Sequence, residues 1–139
     1  MSFSFNGLSG QQVVISGGIS ITSQSANVKF AANESANGGT VTIGTVPAGK
    51  QWRLLGISLN GSQTTASSGE ATMLVDGAVI LAVHTTIVTS GGASACANLN
   101  FNYAACPIVA ATKVVSVTSS ATGNWGMGQI IYVEEPTGT

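Results

Sequence analysis

One short segment matches the start of a phosphate-binding loop. Residues 44–50 place two glycines and Lys50 at the spacing at which backbone N–H groups and a lysine hold nucleotide phosphates. The next residue is Gln51, whereas that loop needs a Ser or Thr hydroxyl there to bind magnesium. Residues 52–59 then have a strand pattern where the loop requires the start of a helix. We therefore predict a simple type I turn, with Pro47 at its second position and Gly49 at its fourth.

Acid–base and metal chemistry have few candidates. His84 is the only histidine, so a metal site would have to rely on scattered carboxylates. A Ser-His-Asp triad is assembled in space, but the Gly-x-Ser-x-Gly motif that presents many nucleophilic serines does not occur. Glu134 and Glu135 are adjacent on a predicted strand, so their side chains face opposite ways and cannot act as a catalytic pair. We predict that both are solvated and that the protein has no catalytic site, cofactor or metal.

The two cysteines, Cys96 and Cys106, are separated by residues in which Asn alternates with large apolar side chains. This period of two predicts a strand. A continuous strand would hold the two sulfur atoms roughly 30 Å apart, which excludes a disulfide between them. Only a hairpin at residues 100–102 would bring them together. We predict that both are reduced thiols with a structural role.

The two tryptophans differ in their surroundings. Trp52 lies near the start of a predicted strand, which favours a place in the core. Trp125 is flanked by Asn124 and Gly126 in a glycine-rich stretch, which favours a surface position. An exposed tryptophan stacks well on a sugar ring, so Trp125 is the candidate contact for a surface ligand.

Charge is scarce throughout the chain. Only nine of the 139 residues, or 6%, are charged, whereas a typical soluble domain has about 25%. Four basic residues cannot neutralise a run of phosphates, so we expect no nucleic-acid partner. Small polar residues replace the missing charges, and a net charge of −1 provides little repulsion between copies. The composition therefore favours self-association.

Targeting signals are weak. Residues 1–7 contain neither the basic nor the apolar region of a secretory signal peptide, so we expect synthesis in the cytoplasm unless a leader has been removed. The longest purely apolar run in the uncharged segment 77–112 is residues 78–83, far short of the roughly 20 residues of a membrane helix. We expect no membrane partner.

Short strands with turn residues between them dominate the sequence, and no segment has a helical period. Asp76-Gly77 predicts a two-residue hairpin, and Asn60-Gly61 is expected to end a strand before a polar loop that runs to Gly69. This pattern predicts an all-β fold with a single jelly-roll-like or β-sandwich domain over residues 39–135 and a C-terminal tail at 136–139. The predicted strands are residues 40–46, 51–59, 71–75, 78–83, 85–89, 97–103, 108–117 and 129–133.

Residues 1–38 are predicted to form an extended N-terminal arm with short strands. The arm is rich in Ser, Gly, Asn and Gln and has small apolar patches. Buried apolar side chains would anchor such an arm on its own domain or on a neighbouring copy, at about 1.5–3 kcal/mol each. The predicted contact residues are Val13, Val14, Ile15, Ile19, Ile21 and Phe30.

The segment at residues 40–59, with the turn Val-Pro-Ala-Gly-Lys at 46–50 and the return strand Trp-Arg-Leu-Leu at 52–55, resembles a segment of β-rich structural proteins in the virions of tailed bacteriophages. The hairpin at 75–77 and the strand at 129–133 are similar in style, so the resemblance covers about residues 40–133. It implies a non-enzymatic head-decoration, tail or fibre protein that is homo-oligomeric, often trimeric. Its implied partner is a major capsid or tail protein, and its implied location is a virion assembled in the host cytoplasm. The shared motif is a turn, so no functional residue is carried over.

Two other functions fit the same residues. A subunit of an exported surface filament or adhesin, at the extracellular surface, would use its arm to donate a strand to the next subunit. A carbohydrate-binding β module would use Trp125. The three hypotheses share an all-β domain and differ in what its surface contacts.

Overall fold

The computed structural model describes residues 28–64, 68–86, 92–120 and 122–138. Strands make up most of these residues, and they include no α-helix. The elements are β1 (Val28–Ala36), β2 (Thr40–Thr45), β3 (Lys50–Gln63), β4 (Ser68–Val75), β5 (Ala78–Thr86), β6 (Ala93–Asn100), a 3₁₀ turn (Tyr103–Ala105), β7 (Ile108–Val109), β8 (Val114–Ser119) and β9 (Asn124–Pro136).

Two antiparallel sheets pack face to face. Sheet A has the strand order β1-β9-β3-β6, with β7 also paired to β3, and sheet B has the order β2-β8-β4-β5. The strand β8 shows why the sheets pack. Its side chains alternate between half-buried and buried positions, and the buried ones include Val115 and Val117. Such an alternation gives a sheet one apolar face, which is stable only against another apolar face. The predicted all-β sandwich is confirmed.

The core lies between the two sheets. Leu54, Leu59 and Ile130 of sheet A and Met73 of sheet B are at most 1% exposed. The ring of Trp52 packs on that of Tyr132 with centroids 4.1 Å apart. Trp52 is only 4% exposed, which confirms its predicted place in the core. Its ring leaves no room for a side chain at Gly44, because a Cβ there would lie 2.7 Å from the indole.

The turn before β3 differs by one residue from the prediction. The N–H of Lys50 donates to the carbonyl of Pro47 over 3.2 Å, so Pro47 is the first residue of the turn and not its second. Gly49, the third residue, has φ +74°, the conformation that a type II turn requires at that position. The predicted type I turn is therefore wrong, and glycine at 49 decided the turn type because it accepts a positive φ without strain.

The expected break at Asn60-Gly61 is also wrong, because β3 continues through both residues to Gln63. Gly61 lies where the sheets approach closely, since a Cβ there would be 3.0 Å from Val83 and 3.2 Å from Ala71. A glycine inside a strand often marks such a close approach instead of a turn.

The strands after β5 have other bounds than predicted, and β9 extends beyond the predicted strand 129–133 at both ends. β6 ends at Asn100, and the 3₁₀ turn at Tyr103–Ala105 follows where a continuous strand was expected. The predicted strand 108–117 is divided into β7 and β8 by a turn in which Thr112 has φ +66°. Of the predicted strand 85–89, the first two residues belong to β5 and the others lie outside the described residues.

The hairpin at Asp76-Gly77 is confirmed. It joins β4 to β5, and the two residues have φ +51° and +86°, as a type I′ turn requires.

At the other side of the sandwich, residues 28–36 of the predicted arm form β1 and pair with β9 along the whole strand. This strand therefore belongs to the sandwich. The predicted arm contacts Val13, Val14, Ile15, Ile19 and Ile21 lie outside the described residues.

Candidate functional site

The outer face of sheet A, which points away from the core, carries almost no charge. Its side chains come from alternate positions of four strands, and most are amides, hydroxyls or apolar groups. Among the described residues of this face, Glu34 on the edge strand β1 is charged. Arg53 and Glu135 lie at one end and pair with each other. The outer-face residues on these strands include Phe30, Ala32 and Glu34 (β1), Trp125, Met127, Gln129 and Ile131 (β9), Ser58, Asn60 and Ser62 (β3), and Ser94, Cys96, Asn98 and Asn100 (β6).

A groove of about 490 Å³ crosses one half of this face and places Trp125 in its lining. Trp125 is half-buried and lies across the sheet from Ser62, while Met127 lies opposite Asn60. Hydroxyl and amide groups from β3 and β6 form the other wall, and Glu34 adds a carboxylate. An aromatic ring beside neutral donors and acceptors suits a neutral polar ligand such as a saccharide.

A second groove, of about 130 Å³, lies on the other half of the same face. Phe30 and Ile131 lie directly opposite each other on β1 and β9 and line it. Phe30 is 62% exposed and Ile131 is 44% exposed. Amides of Asn98 and Gln129 complete the groove. The predicted arm residue Phe30 is thus a surface group of the sheet itself.

At the end of the face, Glu135 accepts three hydrogen bonds. The donors are Gln51 Nε2 at 2.7 Å, Arg53 Nε at 2.6 Å and the Tyr103 hydroxyl at 2.6 Å. Arg53 also lies over the Tyr103 ring, with its guanidinium carbon 4.8 Å from the centroid. Burial alone would raise the pKa of Glu135, but the bonds from Tyr103, Gln51 and Arg53 outweigh it and lower the pKa to about 2. The carboxylate is therefore ionised over the whole physiological pH range.

Glu134 faces the opposite side of β9 and has its own partners. It accepts a bond from Lys29 Nζ at 2.7 Å and one from the indole N–H of Trp52 at 3.0 Å. These bonds lower the pKa of Glu134, and the bond to Glu134 raises the pKa of Lys29. The opposite orientation of the two glutamates was predicted correctly, but their predicted solvation is wrong. Their side chains are only 17% and 12% exposed, and both act as structural anchors.

The remaining candidate residues do not converge. Cys96 is exposed in the groove beside Trp125, whereas Cys106 is buried, and both are free thiols. His84 is exposed on β5, with its Nε2 3.1 Å from a carboxylate oxygen of Glu70. Within the described ranges, no three His, Cys, Asp or Glu side chains are grouped to hold a metal ion. No helix in those ranges is both long and apolar enough to cross a membrane.

No protein-family model matches the chain, and no curated protein matches it.

Proposed function

We propose that the protein is a non-enzymatic structural subunit of a multi-copy assembly and that the outer face of sheet A is a contact surface between copies. The observation that carries this proposal is the exposure of Phe30 and Ile131 beside each other on a nearly uncharged sheet face. Clustered apolar groups with a polar rim are typical of protein–protein contacts.

The electrostatics of the face support the same function. Two copies that meet through this face bring few like charges together, because its described charged residues are Glu34 on the edge strand β1 and the pair of Arg53 and Glu135 at its end. The charges at its end are already neutralised within the subunit, since Arg53 pairs with Glu135. Contact between copies therefore requires little desolvation of unpaired charge, which is the main cost of burying ionic groups at an interface.

The assembly that we propose is a bacteriophage virion, in which the protein serves as a head-decoration, tail or fibre subunit. The similarity of residues 40–59 to segments of such proteins supports this assignment, and the scarcity of charge is compatible with it. The proposal places the protein in particles assembled in the host cytoplasm, in contact with other copies and with a major capsid or tail protein.

Light scattering coupled to size-exclusion chromatography tests the multi-copy function on the full chain. We expect an oligomer for the wild type and a smaller species for the double variant Phe30→Ser/Ile131→Ser. The matched control is Val114→Ser, which changes a partly exposed residue on the outer face of sheet B, in the inner strand β8. A wild type that is monomeric at every accessible concentration would contradict the proposal, as would equal effects of the control and the double variant.

Carbohydrate binding is the second candidate, because Trp125 lines a groove of about 490 Å³ with hydroxyl and amide walls. A glycan array probed with the wild type and with Trp125→Ala tests it, and Met127→Ala serves as the control in the same groove. Binding that requires Trp125 supports the candidate. Absence of binding, or binding that Trp125→Ala leaves unchanged, removes it.

A further inference from the structure

The two sides of the sandwich are closed differently. On the side of β1 and β2, the Asn33 side chain donates to the carbonyl of Thr42 over 2.8 Å. The buried hydroxyls of Ser35 and Ser119 lie 3.2 Å apart, and that of Ser119 also accepts a bond from the N–H of Gly38. Polar bonds between the two sheets therefore seal this side.

The side of β5 and β6 has an apolar opening instead. A cleft of about 180 Å³ leads toward the core there, and all of its lining residues are apolar. Leu99 lies opposite Ile57, a core residue that is 4% exposed, so Leu99 belongs to the inner face of sheet A. It is nevertheless 39% exposed, and it lines the cleft together with Val75 and Ile80 of sheet B. Ile80 and Phe101 complete the mouth of the cleft.

Among the described strands, the neighbouring strand β5 is the outer one of sheet B and pairs with β4 alone. Edge strands are usually protected from further pairing by lysine, proline or bulges. β5 contains neither lysine nor proline, and its one bulge is at the cleft residue Ile80, so residues 81–86 remain in regular register with β4. A strand added beside β5 would extend sheet B over Leu99 and fill the cleft with its inward side chains.

We propose that this cleft and the outer edge of β5 bind residues 19–22 of the N-terminal arm of a second copy. This inference rests on the proposed multi-copy function. The segment reads Ile19-Ser20-Ile21-Thr22, in which two β-branched apolar residues alternate with hydroxyl residues. Such a strand places both isoleucines on one face, toward the cleft, and both hydroxyl groups on the other. Residues 1–27 carry no charge, as the apolar cleft requires.

The length of the arm favours a second copy over the same copy. One row across sheet A consists of paired residues from four strands, namely Val28, Val133, Arg53 and Ile108. Along this row β1 and β7 are three strand spacings, or roughly 14 Å, apart. Both β3 and β9 extend beyond this row and must be passed on the way to β5. A path around their ends passes three residues of each strand in both directions at about 3.3 Å per residue, besides the crossing of roughly 14 Å, so it is about 30 Å or more. The seven residue steps from Ile21 to Val28 span at most about 25 Å.

Chemical cross-linking of the full chain tests the site. Ser20 and Ala82 would both face the outer side of sheet B, on adjacent strands. We would introduce Ser20→Cys and Ala82→Cys together in a Cys96→Ser background and treat the protein with a short bismaleimide. Linked dimers and longer ladders are expected on denaturing gels. Linked monomers alone would show that the arm folds onto its own copy and would overturn the proposal, as would the absence of any link.

A second variant separates this inference from the proposed function. Ile19→Ser/Ile21→Ser should raise the dissociation constant of the oligomer by about 100-fold or more, because burial of each isoleucine is worth about tenfold or more. The matched control, Val13→Ser/Ile15→Ser, changes two apolar residues of the same arm outside the proposed strand. An oligomer that neither pair weakens, or that the control weakens more, refutes the arm site while the multi-copy function stands. A monomeric wild type refutes both.

Discussion

Replacement of Glu135 by glutamine should make the protein less stable at neutral pH but not in acid. The folded protein lowers the pKa of this carboxyl from 4.5 to about 2. A tenfold change in an acid dissociation constant corresponds to about 1.4 kcal/mol, so the fold favours the ionised form by roughly 3 kcal/mol. Glu135→Gln loses this contribution and leaves the guanidinium of Arg53 without its carboxylate. We expect the variant to lose about 2–3 kcal/mol of unfolding free energy at pH 7.

The sign of the pH dependence follows from the direction of the shift. Between pH 4.5 and about 2 the unfolded chain binds a proton at Glu135 that the folded chain does not bind, so acid favours unfolding. The contribution of Glu135 is therefore complete above pH 4.5 and is lost as the pH falls toward 2. The pKa of Glu134 is lowered by its own contacts in the wild type and in the variant alike, so its contribution to the free energy of unfolding cancels in the comparison. The difference between wild type and variant should shrink toward zero near pH 2.

Urea denaturation followed by tryptophan fluorescence measures these free energies, because Trp52 is 4% exposed and becomes solvated on unfolding. Glu70→Gln is the matched control, since Glu70 pairs with the exposed His84 and its side chain is 39% exposed. That variant should stay within about 0.5 kcal/mol of the wild type. The reasoning is refuted if Glu135→Gln matches the wild type at pH 7, or if its deficit is the same at pH 2 as at pH 7.

Three further changes have clear expected outcomes. Gly126→Ala should lower the unfolding free energy from urea denaturation by about 1–3 kcal/mol, because the new Cβ would lie 2.8 Å from the Cβ of Ala71 in the core. The control Gly92→Ala should be nearly neutral, because its Cβ would meet nothing closer than 3.7 Å. Thr85→Val should lower the unfolding free energy by about 1–3 kcal/mol in the same assay, because it removes the hydroxyl that donates a buried 2.7 Å hydrogen bond to Gln63. An unchanged free energy would show that this bond contributes nothing to stability. In a thiol titration, exposed Cys96 should react at once and buried Cys106 only on unfolding, and equal rates would contradict this burial.

The alternation of apolar and polar side chains predicted the fold class, and the turn residues Asp76-Gly77 predicted the hairpin. Turn residues gave a wrong prediction where a glycine had a second role. At Gly61 the sequence suggests a turn, but the small residue is needed because Val83 of the opposite sheet approaches closely. Local sequence cannot distinguish these two roles, since the distinction depends on a strand that is distant along the chain.

The carboxylate contacts were missed for a related reason. Glu135 receives hydrogen bonds from Gln51 and Arg53, which are more than 80 residues away along the chain. Only the pairing of β3 with β9 brings these groups together, and no motif spacing encodes that pairing. A useful signal was nevertheless present. Gln51 and Arg53 alternate with the apolar Trp52 and Leu54, so they mark a polar strand face that could receive a carboxylate.

The position of β9 in the middle of sheet A determines when the sheet can close during synthesis. β9 separates β1 from β3, yet it is the last of the described strands to be translated. While the chain grows, β1 and β3 have both been made but lack the strand that joins them. Sheet A is therefore completed only after residues 124–136 have emerged from the ribosome, and folding depends on pairings between distant parts of the chain, which form slowly. Any contact between copies that uses the outer face of sheet A must follow translation of β9.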